Sequence, residues 1–230
     1  AITPHQIVET LINGYQSAES KKSLDIAWNA LEDFTNDENA LVVVDGSGSM
    51  YSGQPYAISI ALSLGIYFAE HNTGAFHNHF ITFSEHPQLV EIKGKDIVSK
   101  VNFCETFNEV ANTNLEAVFK LILKTAVENK LKNSELPSKL YIISDMEFDR
   151  CVSNAGSTNF KNAKAKFEAH GYNLPDIVFW NVASRNRQQP VTMNEQGVAL
   201  VSGCTPRLFE MVAGGTVNPY AFMLEVVESE

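Results

Sequence analysis

Leu41-Val42-Val43-Val44-Asp45-Gly46-Ser47-Gly48-Ser49-Met50 decides how this chain is read. Four apolar residues rich in β-branched valine predict a strand buried on both faces. The strand runs directly into Asp-x-Ser-x-Ser with glycine at both spacers. One carboxylate and two hydroxyls therefore stand on the loop leaving the carboxyl end of a strand, where ligands sit in open α/β sheets. Hard oxygen donors on one tight loop suit a hard divalent cation, Mg²⁺ before Zn²⁺.

Working outward, Thr3-Pro4 starts a helix. Residues 4 to 35 carry two apolar stripes at helical spacing: Ile7, Val8, Leu11, Ile12 and Tyr15, then Leu24, Ile26, Ala27, Ala30, Leu31 and Phe34. Beyond the Asp45 loop, helices are expected over 55–70, 95–101, 114–131, 159–170, 205–213 and 218–228. Strands are expected over 79–83, 88–92, 140–144, 176–182 and 197–202, the second of these antiparallel to its neighbour. This alternation predicts an α/β fold, a mostly parallel doubly wound sheet covered by helices on both faces.

The residues also carry a resemblance. Asp45-Gly46-Ser47-Gly48-Ser49 resembles the DxSxS signature of von Willebrand factor A-type domains, the first part of a metal-ion-dependent adhesion site. Thr113, opening a helix in Asn112-Thr113-Asn114-Leu115-Glu116, and Asp145, ending Tyr141-Ile142-Ile143-Ser144-Asp145, match that site's later elements in order. The stretch 196–204 with the helix after it is similar to the end of the A domain in the Ro (TROVE) family. Ile143 to Phe148 and Pro175 to Asn181 are similar to a related uncharacterised family.

The resemblance implies a Rossmann-like six-stranded sheet ordered 3-2-1-4-5-6 with strand 3, an edge strand, antiparallel. It implies a metal site of Asp45, Ser47, Ser49, Thr113 and Asp145 holding Mg²⁺, or Mn²⁺ or Ca²⁺. The two serines would bind the ion directly, Thr113 in the ligand-engaged state, and the aspartates mostly through water. An open coordination position would take a carboxylate from a protein partner. RNA is a further partner implied for the full-length protein. The expected layout is an A-like domain over 39–230, with residues 1–38 packed on it or left from a preceding helical domain.

Composition bounds the rest. The 230 residues suffice for one well-buried domain, and 27 acidic against 17 basic residues give a formal net charge of −10. That field disfavours broad nucleic-acid binding. Lys161, Lys164 and Lys166 with Arg185 and Arg187 could form a local basic patch, although a solvated face is the plainer reading. Cys104, Cys151 and Cys204 are far apart and odd in number, as expected of reduced thiols in a cytoplasmic protein. His71, His77, His79 and His86 fit no zinc spacing, and Glu147 and Asp149 read as exposed loop acids. No stretch is apolar enough to span a bilayer, so no membrane partner is expected. The chain opens on Ala1 directly into helical periodicity, as an excised domain would, and a targeting segment could lie upstream.

Two further readings compete with the binding module. A metal-dependent phosphoryl-transfer enzyme would carry Asp-x-Asp, but the third position here is Ser47. No P-loop is present, and a nucleophile elbow at Ser47 would need glycine at position 49. The expectation is therefore no enzymatic activity. The other alternative is a metal-free domain serving assembly alone.

Overall fold

The computed structural model describes residues 2–33, 35, 39–53, 55–109, 115–146, 157–182, 191–193 and 198–202. The helices expected over 205–213 and 218–228 lie outside these residues, as do Thr113, Glu147, Asp149, Arg185, Arg187, Cys151 and Cys204.

The strands are β1 (Ala40–Val44), β2 (His79–Thr82), β3 (Leu89–Glu91), β4 (Lys139–Ser144), β5 (Asp176–Asn181), β6 (Val191–Met193) and β7 (Ala199–Ser202). They form one sheet in the order β3-β2-β1-β4-β5-β7-β6. β2, β1, β4, β5 and β7 run parallel, and β3 is antiparallel to β2. This is the expected doubly wound α/β sheet. The short β6, antiparallel on β7, adds a strand at the other edge.

The helices are α1 (Pro4–Ile12), α2 (Ala18–Asn29), α3 (Ala57–His71), α4 (Ile97–Glu105), α5 (Leu115–Glu128) and α6 (Ser157–Ala169). Strand pleating sends alternate residues to opposite faces. Ala40, Val42 and Val44 join one buried cluster with Ile7, Val8, Trp28 and the apolar side of α3. Leu41 and Val43 join another with Leu115, Val118 and Ile122 of α5 and Phe167 of α6. Both faces of β1 are thus covered, which is why it reads as an unbroken apolar run.

The first layer is tied by polar contacts through Glu70. Its carboxylate accepts from Trp28 Nε1 at 2.9 Å and from Lys100 Nζ at 2.6 Å, joining α2, α3 and α4. Asn72 fixes the entry to β1 by accepting from Ala40 N at 2.9 Å and donating to Ala40 O at 2.6 Å.

Candidate metal-binding site at the strand ends

β2 and β3 lie to one side of β1, whereas β4, β5 and β7 lie to the other. The β1–β4 boundary is therefore the point where chain order reverses, and ligand sites form outside the carboxyl ends of strands at such points. The parallel register pairs Val44 with Ile143. The next residues, Asp45 and Ser144, consequently emerge side by side, and Asp145 follows. Asp45 N donates to Ile143 O at 3.2 Å, extending the ladder to the edge of the site.

Asp45 is 5% exposed, and both its carboxylate oxygens have donors. Oδ1 accepts from Ser47 N at 3.0 Å, the local turn expected of an aspartate before Gly-Ser. Oδ2 accepts from Ser144 Oγ at 2.8 Å in a fully buried bond. Ser144 is held in turn by Met146 N, which donates to its Oγ at 3.1 Å. Ser47 and Ser49 lie toward solvent with their hydroxyl oxygens 3.1 Å apart. Ser49 belongs to a single 3-10 turn, Gly48–Tyr51, seated by the buried Met50.

Asp145 Oδ1 is buried with no hydrogen-bond partner among the described residues. Such an atom carries the full desolvation penalty of an unmet acceptor. A cation or a donor placed against it removes that penalty. The donor set around it consists of carboxylate and hydroxyl oxygens, the chemistry Mg²⁺, Mn²⁺ and Ca²⁺ prefer. By that test the residues fit a hard divalent ion. Among the described residues no group of three or more His, Cys, Asp or Glu could hold a metal, so such an ion would depend on the serine hydroxyls.

Four of the five candidate residues are thus on the site loops. The fifth, Thr113, lies outside the described residues, which place the chain on both sides of it. A Cβ on Gly46 would stand 2.2 Å from Phe107 O and 3.5 Å from Asn108 Cα. Only glycine lets the 107–108 backbone lie so close to the Asp45 loop. On the other side, α5 opens at Leu115.

Sequence reasoning missed three contributors. Ser144 orients Asp45, and its signal was a hydroxyl ending an apolar strand beside an acid. Gly46 admits the Phe107 backbone. Tyr51 Oη donates to Glu105 Oε2 at 3.4 Å, tying the turn that carries Ser49 to the end of α4. Burial raises Glu105 above the usual carboxylate range, against the pull of the Tyr51 hydrogen bond. Burial, then the Glu105 charge, pushes the Tyr51 hydroxyl up to about 12, so it remains a donor.

Elsewhere the polar clusters are structural. His71, His77 and His79 have Nδ1 bonded to backbone carbonyls of Tyr67, Asn72 and His77, at 2.7, 2.6 and 2.8 Å. Cys104 is buried, and burial pushes its thiol up to about 12, so it packs rather than reacts. Trp180 is fully buried in the core. Among the described residues, no helix is long and apolar enough to cross a membrane.

Fold and site together define an open, doubly wound α/β domain with a hydroxyl–carboxylate loop at its switch point. The chain belongs to the family described as a domain of unknown function, DUF7788, whose match covers residues 39–220. It is 31% identical over 233 residues to the uncharacterized protein L728 of Acanthamoeba polyphaga mimivirus, a match covering 99% of this chain. The chain spans 40% of the length of that relative. Among solved structures, it resembles the Ro (RSR) protein of Deinococcus radiodurans with a TM-score of 0.53 at 14% identity, covering 93% of this chain and 44% of the other. At that identity the likeness is one of fold.

Proposed function

We propose that this chain is a divalent-metal-dependent binding module of the von Willebrand factor A type. Ser47 and Ser49 hold Mg²⁺ (or Mn²⁺ or Ca²⁺), with Asp45 and Asp145 supporting it, and Thr113 completes the set. The ion keeps a coordination position for an acidic residue of a protein partner. The observation that carries this reading is Asp145 Oδ1, an acceptor buried without a partner beside the Asp45 loop. Few direct anionic ligands leave the ion electrophilic, which favours capture of an outside carboxylate.

The reading is binding rather than turnover. Where phosphoryl-transfer enzymes of this general layout place a second carboxylate, this chain has Ser47, whose hydroxyl meets Ser49. A setting in a ribonucleoprotein assembly, with RNA contacted through the full-length protein, is the reading the Ro-like fold supports, and the few, widely spaced cysteines suit the cytoplasm. The net charge of −10 is consistent with RNA contacts lying elsewhere in that protein.

Titration calorimetry with Mg²⁺ and Mn²⁺ tests this, run beside a Ser47→Ala/Ser49→Ala double variant. One saturable site in the wild type, lost in the variant, is expected. Absence of heat in both proteins would leave a metal-free assembly domain as the surviving reading.

A further inference from the structure

A cleft of about 140 Å³ opens beside the metal loop and shares Gly46 with it. It lies at the carboxyl ends of β1 and β2, away from the Asp145 side, and the segment 106–109 after α4 closes it. Among the described residues its wall carries one carboxylate, Glu109, and no cationic residue.

The wall presents acceptors. Thr106 spends its hydroxyl hydrogen on Phe103 O at 2.7 Å, leaving oxygen lone pairs. Ser84 lines the cleft at 1% exposure, and its Oγ, both donor and acceptor, is buried with no partner among the described residues. Gln88, an exposed lining residue, is fixed by its backbone N–H donating to Thr82 Oγ1 at 2.8 Å. Glu109 is exposed at the rim.

We propose that this cleft takes a cationic side chain, ammonium or guanidinium, from the same partner whose acidic residue meets the metal. The proposal rests on the metal-module reading for the partner's identity, but not for the cleft's own preference. Electrostatics argue for the pairing. Glu109 on the wall, in a chain of net charge −10, favours a cation in the cleft, and that cation offsets the repulsion an acidic partner residue meets from the same field. Gly46 is adjacent in the chain to both Asp45 and Ser47. A partner seated on the Asp45 loop therefore borders the cleft.

The test is a titration of the isotope-labelled chain followed by amide chemical shifts. Methylguanidinium chloride, added without metal, is expected to shift the amides of Ser84, Thr106 and Glu109 saturably. Glu109→Gln is expected to weaken this at least fivefold, and acetamide to bind at least fivefold more weakly than methylguanidinium. Acetate with Mg²⁺ is expected to act on the Asp45 loop and to fail in Ser47→Ala/Ser49→Ala. The two arms separate the proposals: acetate failing alone removes the metal reading, and methylguanidinium failing alone removes the cleft. Equal response to acetamide, or no effect of Glu109→Gln, also overturns the cation site.

Discussion

Two clusters in this molecule use the same side chains and end in opposite states. At the start of α4, Asp96 Oδ1 accepts from Ser99 N at 2.8 Å and from Ser99 Oγ at 2.7 Å. Ser99 Oγ accepts back from Asp96 N at 3.2 Å and Lys95 N at 3.0 Å, and Asp25 Oδ1 takes Ile97 N at 2.9 Å. A helix start supplies orphan N–H groups, and this cluster closes on them. At the ends of β1 and β4, Asp45 is satisfied, yet Asp145 Oδ1 has no partner and the Ser47 and Ser49 hydroxyls meet each other. Composition does not distinguish a cap from a site. Position does, because a strand end at the switch point offers fewer backbone donors than a helix start.

The largest effect expected from this contrast is metal-linked. A ligand that binds only the folded state at about a hundred times its dissociation constant stabilises it by about 2.7 kcal/mol. Urea unfolding with and without Mg²⁺ should show a gain of that size in the wild type and none in Asp145→Asn. Without Mg²⁺ the variant should remain within about 1 kcal/mol of wild type, since it gives up no existing bond of Oδ1. An undiminished Mg²⁺ response in Asp145→Asn would break the contrast.

Next in size is Gly46→Ala. The new methyl would press on Phe107 O, a backbone atom that cannot swing aside. Overpacking of this kind destabilises by about 2 kcal/mol. Gly48, two residues on, has nothing within 4 Å of a Cβ. Gly48→Ala should stay within about 0.5 kcal/mol of wild type, and equal losses at both glycines in urea unfolding would refute the close approach.

The closed cluster should respond to neither metal nor methyl. Asp96→Ala removes a helix cap and should lower stability by about 1 kcal/mol with or without Mg²⁺. The hydrogen bonds from Ser99, backbone first, hold the Asp96 carboxyl below its usual range. A carboxylate lowered on folding stabilises above its unfolded value and loses that contribution as pH falls through the folded one. The gap between wild type and Asp96→Ala in urea midpoint should therefore close in acid.

What could be read from the sequence follows the same division between local and distant. The apolar run of β1 and the DxSxS loop are written in contiguous residues, whereas the strand order was implied by the family resemblance. The helix expected over 95–101 extends to Glu105, because its apolar turn positions Val101 and Cys104 continue beneath α3 and are buried there. Val191–Met193 is short and follows Pro190, so no alternation marked it as a strand. Of the site, the two serines and two aspartates were legible from one motif and one strand end. The support of Asp45 by Ser144, 99 positions away, was not, because it arises from parallel register alone. The Tyr51–Glu105 pair, 54 positions apart, was equally invisible to periodicity.

That pair yields the smallest effect and the finest probe of the open cluster's scaffold. Burial raises Glu105 above the ordinary carboxylate value of 4.5 in the folded chain. A carboxyl raised on folding stabilises fully below its unfolded value, and the contribution disappears as pH rises through the folded one. Once ionised, the half-buried Glu105 carboxylate costs the fold stability. Glu105→Gln keeps an oxygen for the Tyr51 hydroxyl and removes the charge. Its stability relative to wild type should rise as pH increases through the folded value of Glu105, seen as a widening difference in urea midpoints. A difference that stays constant with pH would mean that burial raises Glu105 no further than the Tyr51 hydrogen bond lowers it.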